Sequence, residues 1–345
     1  MTIDLGPLHP RHGPHEPTSS TPARTPGSLR RTATTDMLRP EGLSGPLVLR
    51  GRARDLHTAV DGSARVLGES STYAVVDFVE GRRLRAVTTV PHRPALSSLL
   101  GRSVSGGFRS AVLEADPRLP EDHSLLNLLL DDFPVATLVS GHAFVSGSPA
   151  QRRLPVTTGR MSHGRDQCAG FADGGTVMNG VDREGAAPLV TGPAAPALLD
   201  PDDPLGWHAM DRLPPDGMRR SRRMDIRPGS PTVVDVLFRD SHVRPDGLEI
   251  IVHEYTVEVH IEPETATVLS CTANPRVLPW VECPAAVASA TRLAGRPVAG
   301  VRRHIRATFG GVSTCTHLND TLRSLEDVAA LLPLLRSVGA PPTGS

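Results

Sequence analysis

The sequence predicts an α+β fold built from two diverged copies of one small domain. Three observations predict it. Strand-like runs at residues 73–79 and 255–261 each lead into a turn that opens on a glutamate, Glu80 and Glu262. A segment downstream is shared: Leu99-Leu100-Gly101-Arg102-Ser103-Val104-Ser105-Gly106 matches Leu293-Ala294-Gly295-Arg296-Pro297-Val298-Ala299-Gly300 at Leu, Gly, Arg, Val and Gly. The order and spacing of these features agree over roughly a hundred residues, and a repeat of that kind fixes the fold class before any single motif does. Extended without a gap, the match sets Arg109 on Arg303 and His123 on His317, whereas a shift of two residues sets His123 opposite Cys315.

Taken in order, residues 1–45 are rich in Pro, Ser, Thr and Gly without an apolar period and read as a disordered leader. Copy one spans 46–150. Residues 47–49, 73–79 and 84–87 read as strands, 94–100 as helix-compatible, and 125–139 as an apolar helix that Pro134 should kink. Residues 151–218 are a Pro/Gly-rich linker, with one patch at 163–178 that carries Cys168. Copy two spans 219–337. Residues 233–238, 248–252, 255–261 and 267–272 are strands, the third alternating in period two. Residues 284–294 begin on Pro, are Ala-rich and stop at Gly295, which are helix start and stop signals. Residues 317–335 read as a closing helix interrupted near Asp327 or Pro333, and 338–345 as a disordered tail. Each copy is expected to be a three- or four-stranded antiparallel sheet with helices on one face. The copies are expected to pack as a pseudo-dimer, because each alone has a small core.

Composition narrows the function classes. The 345 residues carry a formal net charge of +0, without the basic excess of a nucleic-acid binder. All 37 basic residues are Arg, a pattern that a codon bias produces, so the arginines read as solvated surface. The cluster Arg219-Arg220-Ser221-Arg222-Arg223 reads as a solvated strand edge, the alternative being a surface for an acidic partner or a phosphate. No run of about twenty apolar residues is present to cross a membrane. With no signal-peptide pattern at the start, a cytoplasmic location is expected and the four cysteines should be reduced.

The residues that can carry chemistry lie in copy two. Cys283 stands at the entrance of the Ala-rich helix, and Cys315-Thr316-His317-Leu318 opens the closing helix. A helix N-terminus favours the thiolate, which is the form that ligates metal or attacks carbon. Cys283, Cys315 and His317 supply three ligands of a tetrahedral zinc or iron–sulfur site, with Asp240 or His253 as a fourth. The alternative is a thiol enzyme for a small acyl or carbonyl substrate, with Cys315 as nucleophile and His317 or His253 as base. A third reading is a non-enzymatic assembly partner. Cys271 reads as core, Cys168 as incidental or packed onto copy one, and His242 and His260 as surface residues.

The stretch from Arg219 to Leu325 resembles a bacterial family known as Domain of Unknown Function 2889. The resemblance rests on Arg222-Arg223, Asp240, His253-Glu254, Cys283, Leu293-x-Gly295-Arg296 and, most specifically, Cys315-Thr316-His317-Leu318. The chain departs from the family in lacking a basic residue directly after Asp240. Copy one looks like a degenerate member. A more distant likeness is to the iron–sulfur scaffold fold of the IscU/NifU type, where one Cys opens an Ala/Ser-rich helix and a later Cys opens the last helix. The Cys-Gly-Asp loop of those scaffolds is missing here.

Overall fold

In the computed structural model, residues 9–146 and 164–339 are described. Eight strands form one antiparallel sheet: β1 (Ser28–Leu38), β2 (Leu47–Thr58), β3 (Ala64–Asp77), β4 (Arg83–Val90), β5 (Met218–Arg227), β6 (Thr232–Val243), β7 (Glu249–Ile261) and β8 (Val268–Val277). Their order is β4-β3-β2-β1-β5-β6-β7-β8. Each run of four is a meander of hairpins, and the two runs join edge to edge where β1 pairs antiparallel with β5. The turns carry the chemistry that hairpins need: Gly247, between β6 and β7, sits at φ +85, a conformation without steric cost only for glycine.

Helices follow each meander. After β4 come a 3-10 segment (Pro94–Leu99), α1 (Phe108–Ala115), α2 (Leu119–Asp122), α3 (Ser124–Val139) and α4 (His142–Val145). A 3-10 turn (Ala169–Phe171) and α5 (Thr176–Glu184) lie between the meanders. After β8 come a 3-10 segment (Cys283–Leu293), α6 (Val301–Thr308), α7 (Thr316–Arg323), a 3-10 turn (Ser324–Asp327) and α8 (Val328–Gly339). α3 packs across β1, β2 and β3 and touches α7. The break expected near Asp327 is the 3-10 turn, and both Pro134 and Pro333 are carried inside helices. Residues 248–252 and 255–261 prove to be parts of one strand, β7.

The expected leader, linker and tail need correction. Residues 28–38 of the supposed leader form β1, at the centre of the sheet. Its sequence hides this because its core residues Leu29, Ala33 and Met37 stand four apart with Arg31 and Thr35 between them, while the other face carries Arg30, Thr32, Thr34 and Asp36. The preceding residues also pack: Thr18 N–H donates to Glu254 Oε1 at 2.5 Å. Residues 1–8 lie outside the described residues. Within 151–218, α5 is helical and Trp207 and His208 are buried as part of a strap over β1. The Trp207 indole donates to Thr21 Oγ1, and the His208 ring bridges Thr32 and Thr34. Residues 147–163 lie outside the described residues, as do 340–345; α8 runs on to Gly339.

The arginine cluster is the largest correction. It is no solvated edge but β5, paired on both sides, with every one of its arginines buried. Alternation sends Arg220 and Arg222 to the helix face and Arg219 and Arg223 to the strap face. On the strap face, Arg219 grips Asp36 of β1 and Arg30 of β1 grips Asp225 of β5, each through two hydrogen bonds. These pairs are reciprocal across the β1–β5 seam. On the helix face, Arg31 grips Asp55 and meets Asp327, while Arg220 grips Asp240 and meets Asp132 and Asp320. Arg31 faces Asp55 across β1–β2, and Arg220 faces Asp240 across β5–β6. A β-bulge follows each of those aspartates. Arg109, Arg222, Arg302 and Arg323 and the acid Asp131 complete the set, so buried positive and negative charges balance.

Glycine caps sharpen the register of the shared segment. Gly101 and Gly295 have φ +79 and +77, and the N-caps of α1 and α6 are Gly107 and Gly300, at φ +87 and +85. The loop in the first half is therefore one residue longer. Arg109 then falls opposite Arg302 and not Arg303. His123 is the N-cap of α3 and Cys315 the N-cap of α7.

Candidate functional site

A cavity of about 210 Å³ opens between the two halves of the sheet. The first half supplies Phe78, Leu138, Val139, His142 and Phe144. The connecting segment supplies Cys168, Gly170 and Phe171, and the second half Val252, His253, Trp280, Cys283, Cys315 and His317. The wall is mostly apolar, with the thiols and imidazoles of the second half as its polar part.

Three of the four cysteines therefore meet here, and the positions of their helical turns explain why. Cys168 is the N-cap of the turn Ala169–Phe171, Cys283 is the first residue of its 3-10 segment, and Cys315 is the N-cap of α7. Backbone N–H groups of His317 and Leu318 point at Cys315, while those of Gly170, Phe171 and Thr316 point at Cys168. One helix N-terminus thus serves two sulfurs. Gly170 lets the loop close: a Cβ there would stand 2.9 Å from Cys283 Sγ. Cys168, expected to be incidental or packed onto copy one, lies instead with the second half's thiols. Cys271 is core, as expected. Burial pushes the Cys315 thiol up, against the opposing Tyr255 hydroxyl and N–H groups, and pushes Cys168 up to about 12. It raises Cys283 further. All three are neutral thiols at neutral pH.

Beside them stands a second group. Cys315 Sγ is 3.8 Å from His317 Nδ1, and the other nitrogen of that ring, Nε2, is 3.6 Å from Asp240 Oδ2. The His253 ring stacks on His317 at 3.6 Å between centroids. His253 Nδ1 and His317 Nε2 are buried without a hydrogen-bond partner. One ligand atom from each of Asp240, His253 and His317 lies within 4.8 Å of the others. Burial holds both rings neutral: it brings His317 down to about 3, with Arg220 adding to the effect, and His253 lower still beside His317. Asp240 is fully buried and its two oxygens each accept a hydrogen bond from Arg220 at 2.9 Å. Burial alone would raise Asp320 behind it, but Arg323, Arg109 and Arg220 outweigh that and bring it to about 2.

The expected ligand set is thus only partly assembled. Asp240, His253 and His317 come together; Cys315 touches the group through His317 and Cys283 faces the cavity beside it. Among the described residues, no grouping of Cys283 with Cys315 and His317 is tight enough to hold one ion. His242, read as surface, is fully buried at an edge-to-face contact with His142. Sequence reading missed Cys168, Tyr255, Arg220, Asp132 and Asp320. The available signal was charge where none belongs: Asp131-Asp132 inside a Leu-rich helix, and arginines at alternate positions of a strand.

Residues 218–331 match the model of a family described as Protein of unknown function (DUF2889). The match begins at the first residue of β5 and ends within α8, so it covers the second meander and Asp240, His253, Cys283, Cys315 and His317 together. No curated protein and no solved structure matches the chain. The DUF2889 match carries no reaction with it, and among the described residues no helix is long and apolar enough to cross a membrane.

Proposed function

We propose that the chain is an internally duplicated metal-binding protein whose second half holds one divalent transition ion on Asp240, His253 and His317. The observation that carries the reading is the convergence of two unpartnered buried ring nitrogens on a buried carboxylate. The 3.6 Å from His317 Nε2 to Asp240 Oδ2 is too long for a hydrogen bond. It is close to the ~3.4 Å that separates two ligands at ~2.1 Å from one tetrahedral ion. Two imidazoles and a carboxylate suit zinc and leave a coordination position open, as in catalytic rather than structural sites. Arg220 is the outer partner that fixes the carboxylate. A bound ion of this kind acts as a Lewis acid on a ligand oxygen.

The duplication is supported by the reciprocal pairs Arg30–Asp225 and Arg219–Asp36, the relation that an isologous two-fold interface produces. In that correspondence Arg31 and Asp55 stand for Arg220 and Asp240, while Gly68 and Leu125 stand for His253 and His317. The first half keeps the ion-pair scaffold and lacks the ligands.

Cobalt(II) substitution tests the assignment. The account predicts visible absorption of a tetrahedral or five-coordinate ion with no thiolate charge-transfer band, abolished by His253→Ala. A strong thiolate band lost in Cys315→Ser would instead support the set of Cys283, Cys315 and His317. A second reading, a thiol nucleophile, rests on the Cys315–His317–Asp240 line: nucleophile, base and orienting carboxylate in sequence. It predicts one fast-alkylating cysteine, slowed by His317→Ala.

A further inference from the structure

The cavity limits what can sit in it, whether or not an ion is bound below. Its volume of about 210 Å³ exceeds the ~150 Å³ of an apolar cavity that takes up benzene, and falls short of the several hundred Å³ of pockets for drug-sized ligands. That is room for one ring and a few further atoms. The wall of the first half is apolar and aromatic, with Phe78 stacked on Phe144 at 5.4 Å. No carboxylate lines it among the described residues, and the guanidinium on its rim, Arg82, lies over the Phe78 ring at 5.8 Å. At the second-half end the lining turns polar, with His253, His317, Cys283 and Cys315 bordering the space.

We propose that this cavity binds a neutral single-ring molecule bearing one hydrogen-bonding oxygen. Its ring packs on Phe78, Phe144 and Trp280, and its oxygen meets the His317 and Cys315 end. A charged oxygen is disfavoured because the wall is mostly apolar and its one guanidinium, Arg82, stands at the rim over the Phe78 ring. This goes beyond the metal assignment and does not depend on it.

The test is titration calorimetry on the full chain with benzyl alcohol, benzaldehyde and benzoate, before and after chelator treatment. The expected result is a Kd of about 0.1–1 mM for the two neutral single-ring probes, in line with the efficiency of such small ligands. Benzoate should bind at least about tenfold more weakly, because it carries an unsolvated charge. Ala187→Phe fills the cavity from its wall and should weaken benzyl alcohol at least about tenfold; Val190→Phe serves if that variant does not fold. Benzoate binding as well as benzyl alcohol, no heat from either neutral probe, or undiminished binding in the filled variant would overturn the proposal. Ring binding by protein that carries no metal and takes up no zinc or cobalt would sink the metal reading alone.

Discussion

Replacing Arg220 by Met removes the cation on which three buried carboxylates converge. Arg220 donates to Asp240 twice at 2.9 Å and to Asp320 at 2.8 Å, and meets Asp132 at 3.4 Å, with all four side chains out of water. Breaking one buried pair from one side costs about 3–5 kcal/mol, because the partner charge stays behind. Here Asp132 keeps Arg222 and Asp320 keeps Arg323, so the uncompensated group is Asp240. The expected loss is therefore about 3–5 kcal/mol and not a multiple of it. Urea unfolding at neutral pH measures it, with Asp240→Asn added to the Arg220→Met background. Removing the stranded charge should recover part of the loss, which a double-mutant cycle reads as coupling. Arg85→Met, at an exposed pair with Asp77, is the control and should leave the urea midpoint close to that of wild type. A loss below about 1 kcal/mol for Arg220→Met, or no recovery in the double variant, would refute the view that this arginine holds Asp240 in place.

The remaining predictions follow from burial and backbone geometry. Burial depresses His142 well below its ordinary value, His208 to about 3 and His242 to about 4. Below about pH 6.5 the unfolded chain takes up protons that the folded chain refuses. Stability fully present well above that pH is therefore lost as pH falls toward the folded values, by about 1.4 kcal/mol per residue and about 4 kcal/mol for these three by about pH 5.5. Urea midpoints at the two ends of that window check this, and equal midpoints would contradict it. Gly192→Ala should cost more than about 2 kcal/mol or prevent folding, since its Cβ would lie 1.8 Å from Ile251 O on β7; a midpoint within error of wild type would show that the strand-edge segment can shift. Gly295→Ala meets no atom within 4 Å and pays only the left-handed backbone, about 1–2 kcal/mol by the same assay. A larger loss would mean that this loop is packed more tightly than the geometry shows.

Much of the second meander was legible because its chemistry is local. The alternation around Tyr255, the turn at Glu262, the stop at Gly295 and the break near Asp327 are all set by neighbours in sequence. The site was legible as far as its residue types are unusual: Asp240, His253, His317 and the thiols were all singled out, but their grouping was not. That grouping depends on a bulge after Asp240 and on ring stacking across β7 and α7, which no spacing encodes. β1 escaped notice because its few core residues, Leu29, Ala33 and Met37, alternate with arginines and threonines, so its Ser-Leu-Arg-Arg-Thr-Ala-Thr-Thr run looks solvated. Cys168 escaped because a segment distant in sequence delivers it to the second half's cavity.

The central claim is that Asp240, His253 and His317 hold an ion. The direct measurement is elemental analysis of protein purified without chelator or an affinity metal, comparing wild type with His253→Ala, His317→Ala and Cys283→Ser, each shown to be folded. The account predicts about one divalent transition ion per chain in wild type and Cys283→Ser, and none in either histidine variant. Metal that survives both histidine changes but leaves with Cys283, or a wild-type protein free of metal and unable to take up zinc or cobalt, would contradict it.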